Sequence, residues 1–112
     1  MAITPKCLVE PVFLTTADVQ YYVASKGITI IDKLTVYNVS ALYQTLNINL
    51  VASGGASSTT NRIVGVFTIA PGETYEFTKI EGHILNTGDS IHSLASANSA
   101  LSLRVSGREV MI

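Results

Sequence analysis

Hydrophobic and polar residues alternate along much of this chain with the two-residue period of a β-strand. The clearest run is TLNINLV, residues 45–51, where Leu46, Ile48 and Leu50 point one way and Thr45, Asn47 and Asn49 the other. A helix would scatter those apolar side chains around its circumference. ITIIDKLTVYN, residues 28–38, places Leu34 and Val36 on one face and Lys33, Thr35 and Tyr37 on the opposite one. The aromatic and β-branched run VQYYVA, residues 19–24, is a third strand that ends at the Ser25-Lys26-Gly27 turn. RIVGVFTI, residues 62–69, is a fourth, and the Gly65 inside it signals a bulge or a close backbone approach. ALSLRVSGREVMI, residues 100–112, puts Leu101, Leu103 and Val105 on one face and is expected to break at Ser106-Gly107 before Val110 and Ile112. Only residues 98–103 offer a weak helical alternative.

Turn chemistry separates these runs. Pro71-Gly72-Glu73-Thr74 sets φ near −65° at its first central position and allows positive φ at the next, as a type II turn requires. Glu81-Gly82 and Asn86-Thr87-Gly88-Asp89 mark two further reversals, with the strand-like TYEFTKI (74–80), His83-Ile84-Leu85 and SIHSLASA (90–97) around them. ASGGASSTTN, residues 52–61, cannot bury enough apolar surface to order itself, so it is a flexible hairpin loop or one that becomes ordered against a neighbour. Pro5 and Pro11 disfavour helix in residues 1–18 and fit an extended arm or an edge strand. Roughly seven to nine short strands joined by such turns predict an all-β protein, an antiparallel β-sandwich that is jelly-roll or immunoglobulin-like. The expected organisation is an N-terminal arm or edge strand, 1–18, and a single sandwich domain, 19–112.

Composition narrows the function more than the fold. Charged residues make up 13% of the 112 residues, seven basic against eight acidic, for a net charge of −1; an ordinary globular domain carries about 25%. No basic stripe is available to displace counterions from a nucleic-acid backbone, so no nucleic-acid partner is expected. No apolar run approaches the ~18 residues of a membrane span, and the N-terminus lacks the pattern of a secretory signal, so no membrane role is expected and synthesis should be cytoplasmic. The hydrophobic fraction is 47%, and many outward positions are Ser, Thr or Asn. Such a surface is either covered in part by other protein or a neutral, hydroxyl-rich β surface in water; composition leaves both open. Cys7 is the single cysteine and reads as an inert buried thiol.

Candidate chemistry is sparse. His83 and His92, the two histidines, lie near Glu81 and Asp89, but the spacing is not that of a metal-binding loop, and they read as surface or sheet-edge residues. No nucleophile-elbow pattern accompanies them, and Gly54-Gly55 is not followed by a phosphate-cradle Gly-Lys-Ser/Thr. Glu73, Glu76 and Glu81 read as solubilising turn residues rather than an acid/base pair, and Tyr21, Tyr22, Tyr37, Tyr43 and Tyr75 as sheet-lining rather than a sugar platform. The chain is therefore expected to be no enzyme and to need no cofactor or metal.

Five segments taken together, LTVYN (34–38), LNINLVASGG (46–55), IAPGETYEF (69–77), ILNTGDSIHSLAS (84–96) and VSGREV (105–110), resemble in order and spacing small β-sandwich virion structural proteins of tailed bacteriophages and prophages. The resemblance covers residues 20–112 and implies a capsid decoration or cement protein located on the virion surface. Its partners would be the major capsid protein or other virion proteins, and the protein would act as a homo-oligomer or in many copies on the shell. A neck, tail or fibre component is the alternative, including a carbohydrate-binding module in which Tyr37, Tyr43, Asn47 and Asn49 would form the binding face. The candidate protein-contact residues are Pro5, Leu8, Val9, Pro11 and Phe13 in the arm, Ser53, Gly54, Gly55, Thr60 and Asn61 in the loop, and exposed edge strands able to pair with another chain. Deleting residues 1–13 is expected to weaken attachment to a shell without unfolding the sandwich.

Overall fold

A computed structural model describes residues 2–111, and among them the chain forms nine strands: β1 (Ala2–Phe13), β2 (Val19–Val23), β3 (Ile28–Asn38), β4 (Gln44–Val51), β5 (Arg62–Ile69), β6 (Thr74–Glu76), β7 (Ile84–Leu85), β8 (Ser90–Ala95) and β9 (Leu101–Met111). They make two antiparallel sheets. One has the order β1-β9-β3-β6, with β7 also paired to β3, and the other has the order β2-β8-β4-β5.

That order decides between the two expected topologies. An immunoglobulin-like sandwich keeps its first two strands in one sheet. Here β1 and β2 lie in different sheets, and β1 pairs with the last strand, β9, over most of its length. The chain crosses between sheets at β1–β2, β2–β3 and β3–β4, and again at β5–β6, β7–β8 and β8–β9, which is the double Greek-key winding of a jelly roll.

The alternation read from sequence is what builds the core. Leu34, Val36, Leu46, Ile48, Ile91, Leu101, Leu103 and Val105 face inward between the sheets and are almost wholly removed from water. Each such side chain contributes about 1.5–3 kcal/mol relative to exposure. Phe67, Tyr75 and Phe77 close one open side of the sandwich, with ring centroids 4.4–5.1 Å apart in tilted and edge-to-face contacts. At the opposite side the two sheets are tied by a polar bridge. Tyr22 Oη donates to the buried Glu109 carboxylate at 2.8 Å and lies 2.7 Å from Thr29 Oγ1, while Lys6 Nζ approaches Glu109 at 3.6 Å. Burial, with the Glu109 carboxylate adding to it, raises the Tyr22 hydroxyl above its ordinary pKa.

The strong turn signatures form as expected. Glu73 N–H donates to Ala70 O at 3.1 Å across Pro71-Gly72, with Gly72 at φ 74°, and Asp89 N–H donates to Asn86 O at 2.9 Å. The expected bulge in β5 also forms. Leu46 pairs with Phe67 and Ile48 with Val64, so Gly65 and Val66 oppose Asn47 alone. The residue with positive φ there is Val66, at 47°, and its N–H is satisfied by Asn47 Oδ1 at 2.6 Å.

Three expectations are corrected. The final strand does not break at Ser106-Gly107; β9 runs continuously from Leu101 to Met111, and Ile112 lies outside the described residues. Gly107 is there for proximity, since a Cβ would collide with Ile30 O and with Leu8 Cδ1. Residues 74–80 are not one strand, because pairing stops at Glu76 and Phe77–His83 turn over the edge of β3, with Gly82 N–H donating to Ile31 O at 2.7 Å. Cys7 is half-buried rather than buried, its thiol donating to Val9 O at 3.3 Å.

Candidate functional site

The candidate contact residues fall on two different sheets. In β1, Pro5 and Pro11 are exposed and Phe13 is 47% exposed, whereas Leu8 and Val9 are 8% and 5% exposed and belong to the protein's own core. The N-terminal segment is thus the edge strand of the two alternatives, integrated into the sheet as far as Ala2. Its removal would strip β9 of a partner and uncover the core, so the expectation that residues 1–13 can be deleted without unfolding does not hold. Of the candidate contact residues in β1, Pro5, Pro11 and Phe13 remain available at the surface.

Ser53, Gly54, Gly55, Thr60 and Asn61 lie in the β4–β5 loop, which is not a free hairpin. It folds back over the outer face of the four-stranded sheet. Asn49, 1% exposed beneath it, donates to Ser58 O at 2.9 Å and Asn61 Oδ1 at 2.7 Å. Asn61 donates in turn to Ala56 O, Ser53 N–H to Asp89 Oδ1, and Ser57 Oγ to Asp18 Oδ2 at 2.9 Å. A tract too polar to pack is ordered by hydrogen bonds, which composition alone does not reveal. Ser53, Gly54, Gly55 and Thr60 stay exposed on the outside of this strap, and Asn61 is half-buried.

Beneath the strap, His92 Nδ1 lies 3.0 Å from Asp18 Oδ2 and His92 Nε2 lies 3.1 Å from Ser90 Oγ. The spacing is that of a nucleophile, a base and an orienting carboxylate. Ser90 is nevertheless only 4% exposed, on a central strand under the strap. The line of contacts fastens the strap to the sheet. His92 therefore sits on a covered central strand rather than at a sheet edge, while His83 is exposed.

The glycan-binding face considered from sequence is not assembled. Asn49 is buried under the strap, Asn47 is consumed by the β5 bulge, and Tyr37 lies on the other sheet. Glu76 pairs with Lys33 at 3.7 Å. Glu81 is not a free turn residue. Proton sharing with the neighbouring Glu76 carboxylate, followed by desolvation, holds its carboxyl above the ordinary range, and its Oε2 is buried without a hydrogen-bond partner among the described residues. Among the described residues no group of three or more His, Cys, Asp or Glu side chains is placed to hold a metal ion.

A surface that the sequence reading missed is the β3–β4 loop. Val39, Leu42 and Tyr43 are 45%, 69% and 70% exposed, yet the loop is tightly held. Asn38, fully buried, donates through Nδ2 to Leu42 O at 2.8 Å and Ile69 O at 3.0 Å, and its Oδ1 accepts from Ser40 N–H at 2.9 Å and Ser40 Oγ at 2.7 Å. Val39 N–H donates to Ala100 O. Phe13 pairs with Ser102, two residues further along β9, so it shares this end of the sandwich. The Asn38-Val39-Ser40 sequence was the available signal, an amide and a hydroxyl two residues apart directly after a strand.

No known protein family matches the chain, and no curated protein does. Among solved structures, a chain in the structure of the infectious bursal disease virus Gx strain aligns with a TM-score of 0.48 and 14% identity, over 94% of this chain and 32% of that one. The chain spans about a third of that chain's length.

Proposed function

We propose that this chain is a virion structural protein, a capsid decoration or cement protein of the tailed-phage type, which binds the assembled shell, carries out no catalysis and is displayed on the capsid surface in many copies. The observation that carries the reading is the rigid presentation of Val39, Leu42 and Tyr43 to solvent by the Asn38 hydrogen-bond knot. Large apolar side chains fixed in one conformation before contact lose little entropy on binding, which is what an anchor for another protein needs. The ordered set of segments resembling small phage virion proteins and the low charge, 13% of residues, support the same reading. A protein that binds only the assembled lattice stabilises it by mass action, and repetition over the lattice supplies avidity.

The test is co-sedimentation with empty, mature capsids of the phage or prophage that encodes the protein. Saturable binding in lattice-related numbers and a raised shell-disruption temperature are expected, and Leu42→Ser with Tyr43→Ser should weaken binding at least about tenfold, the loss of two buried apolar anchors. Absence of binding to capsids, with binding to isolated tails, would move the protein to the neck, tail or fibre.

A further inference from the structure

The outer face of the five-stranded sheet carries a shallow trough of about 210 Å³, lined by Pro11, Thr35, Tyr37, Thr74, Ser102 and Arg104. Its shape follows from register. Phe13, Ser102, Tyr37 and Thr74 form one cross-strand row, so Phe13 and Tyr37 flank the Ser102 hydroxyl and Thr74 lies on the far side of Tyr37. Arg104 pairs with Thr35 in the neighbouring row. Opposite Arg104 the edge strand bulges: Val9 pairs with Val105 and Val12 with Leu103, leaving Glu10 and Pro11 against a single residue. Such a bulge bends the edge strand and re-aims its side chains.

The trough also holds an uncommitted cation. Arg108 is bound bidentately by Asp32 at 2.9–3.1 Å, and Arg62 Nε donates to Asn49 Oδ1. Among the described residues, Arg104 has neither an ion pair nor a side-chain hydrogen bond, although it is exposed beside Tyr37. Glu76, across Thr35 from it, is engaged by Lys33.

We propose that this trough binds an acidic sugar residue, with its carboxylate on the Arg104 fork, its apolar ring face on Tyr37, and its hydroxyls on Thr35, Thr74 and Ser102. A planar guanidinium matches a carboxylate bidentately. An aromatic face exposed beside hydroxyl groups suits a ring that is apolar on one side and polar at its rim. A phosphate group would call for further cations or clustered backbone N–H groups and would leave Tyr37 unused. The volume lies below the roughly 300 Å³ at which small-molecule pockets begin, which limits the contact to one sugar unit of a glycan. The site lies on the sheet face rather than on the Val39–Tyr43 loop, so it stands independently of the decoration reading.

The experiment is a ¹H–¹⁵N NMR titration of the full chain with glucuronate and with N-acetylneuraminate, against glucose and acetate as controls. Saturable shifts are expected at Thr35, Tyr37, Ser102 and Arg104 with both acidic sugars. Binding should fall at least about tenfold with glucose and in Arg104→Gln, each the loss of one charge-assisted pair, and with acetate, which keeps the carboxylate but lacks the ring. Tyr37→Ala should weaken the acidic sugars without changing the response to acetate. Spectral dispersion reports folding of each variant, and Arg104→Lys, which keeps the charge and loses the fork, checks the bidentate geometry if Arg104→Gln fails to fold. Absence of saturable shifts at these residues, an equal response to acetate, or unchanged binding in the Arg104 variants would overturn the proposal.

Discussion

Asn38 is fully buried, and its amide accepts and donates four hydrogen bonds that close the β3–β4 loop. Asn38→Ala leaves Leu42 O and Ile69 O without that donor, so a loss of about 2–4 kcal/mol is expected in chemical denaturation, with the loop amides 39–43 losing hydrogen-exchange protection. A smaller loss with protection intact would refute the role assigned to the knot. Gly107 makes a different demand: any Cβ meets the backbone of Ile30, which cannot retreat without breaking the β3–β9 ladder, so Gly107→Ala should cost about 3 kcal/mol or more by thermal unfolding. Glu81 is a titrating case. Its folded-state pKa is raised above the ordinary 4.5, chiefly by proton sharing with Glu76, so its stabilising share is complete below pH 4.5 and is lost as pH rises through the raised value. Glu81→Gln should therefore flatten the decline of the melting temperature above pH 4.5 and leave the protein slightly more stable at neutral pH. Parallel curves for the two proteins would count against the shared proton.

At the scale of elements, the edge strand and the strap trade the roles that composition suggests for them. β1 carries two prolines yet pairs with β9 from Ala2 to Phe13 and supplies Leu8 and Val9 to the core, so deletion of residues 1–13 should yield insoluble or unfolded protein in circular dichroism rather than a folded, detached sandwich. The strap has no apolar side chain larger than the alanines Ala52 and Ala56, yet it is pinned to Asn49, Asp18 and Asp89. The strands β2 to β5 and the reversals at Pro71-Gly72 and Asn86-Thr87-Gly88 were legible because their signals are local: two-residue alternation reports directly on one face, and such turns on one reversal. The run through Ser106-Gly107 misleads because the same glycine marks a break by propensity and a close approach by packing, and only the partner strand distinguishes them. Likewise, the two lone histidines disclose no site, since Ser90 is a strand neighbour of His92 at two-residue spacing but the Asp18 contact comes from the far end of the chain and lies beneath a loop. Tyr37 is far in sequence from Ser102 and Arg104 and meets them only through the register of β3 against β9.

At the scale of the whole molecule, the jelly roll is an elongated body, 46 × 26 × 20 Å, with a net charge of −1 spread over only fifteen formally charged side chains. Four of the seven basic side chains, Lys6, Lys33, Arg62 and Arg108, and six of the eight acidic ones, Asp18, Asp32, Glu73, Glu76, Asp89 and Glu109, are already paired internally or held by polar neighbours. Little long-range field is left to steer the protein to a partner, so under the proposed decoration role attachment to a shell would come from apolar contact at surfaces such as Val39, Leu42 and Tyr43. Apolar association is insensitive to screening and is strengthened by excluded salts such as sulfate, whereas charge-steered association weakens as the Debye length shrinks from about 10 Å at 0.1 M to about 3 Å at 1 M. Shell occupancy measured by co-sedimentation should consequently change less than about tenfold between 0.1 and 1 M sodium chloride and rise in sodium sulfate. A steep loss of occupancy with sodium chloride would mean that ion pairs at the partner's surface carry the attachment, and the apolar loop would then no longer be its anchor.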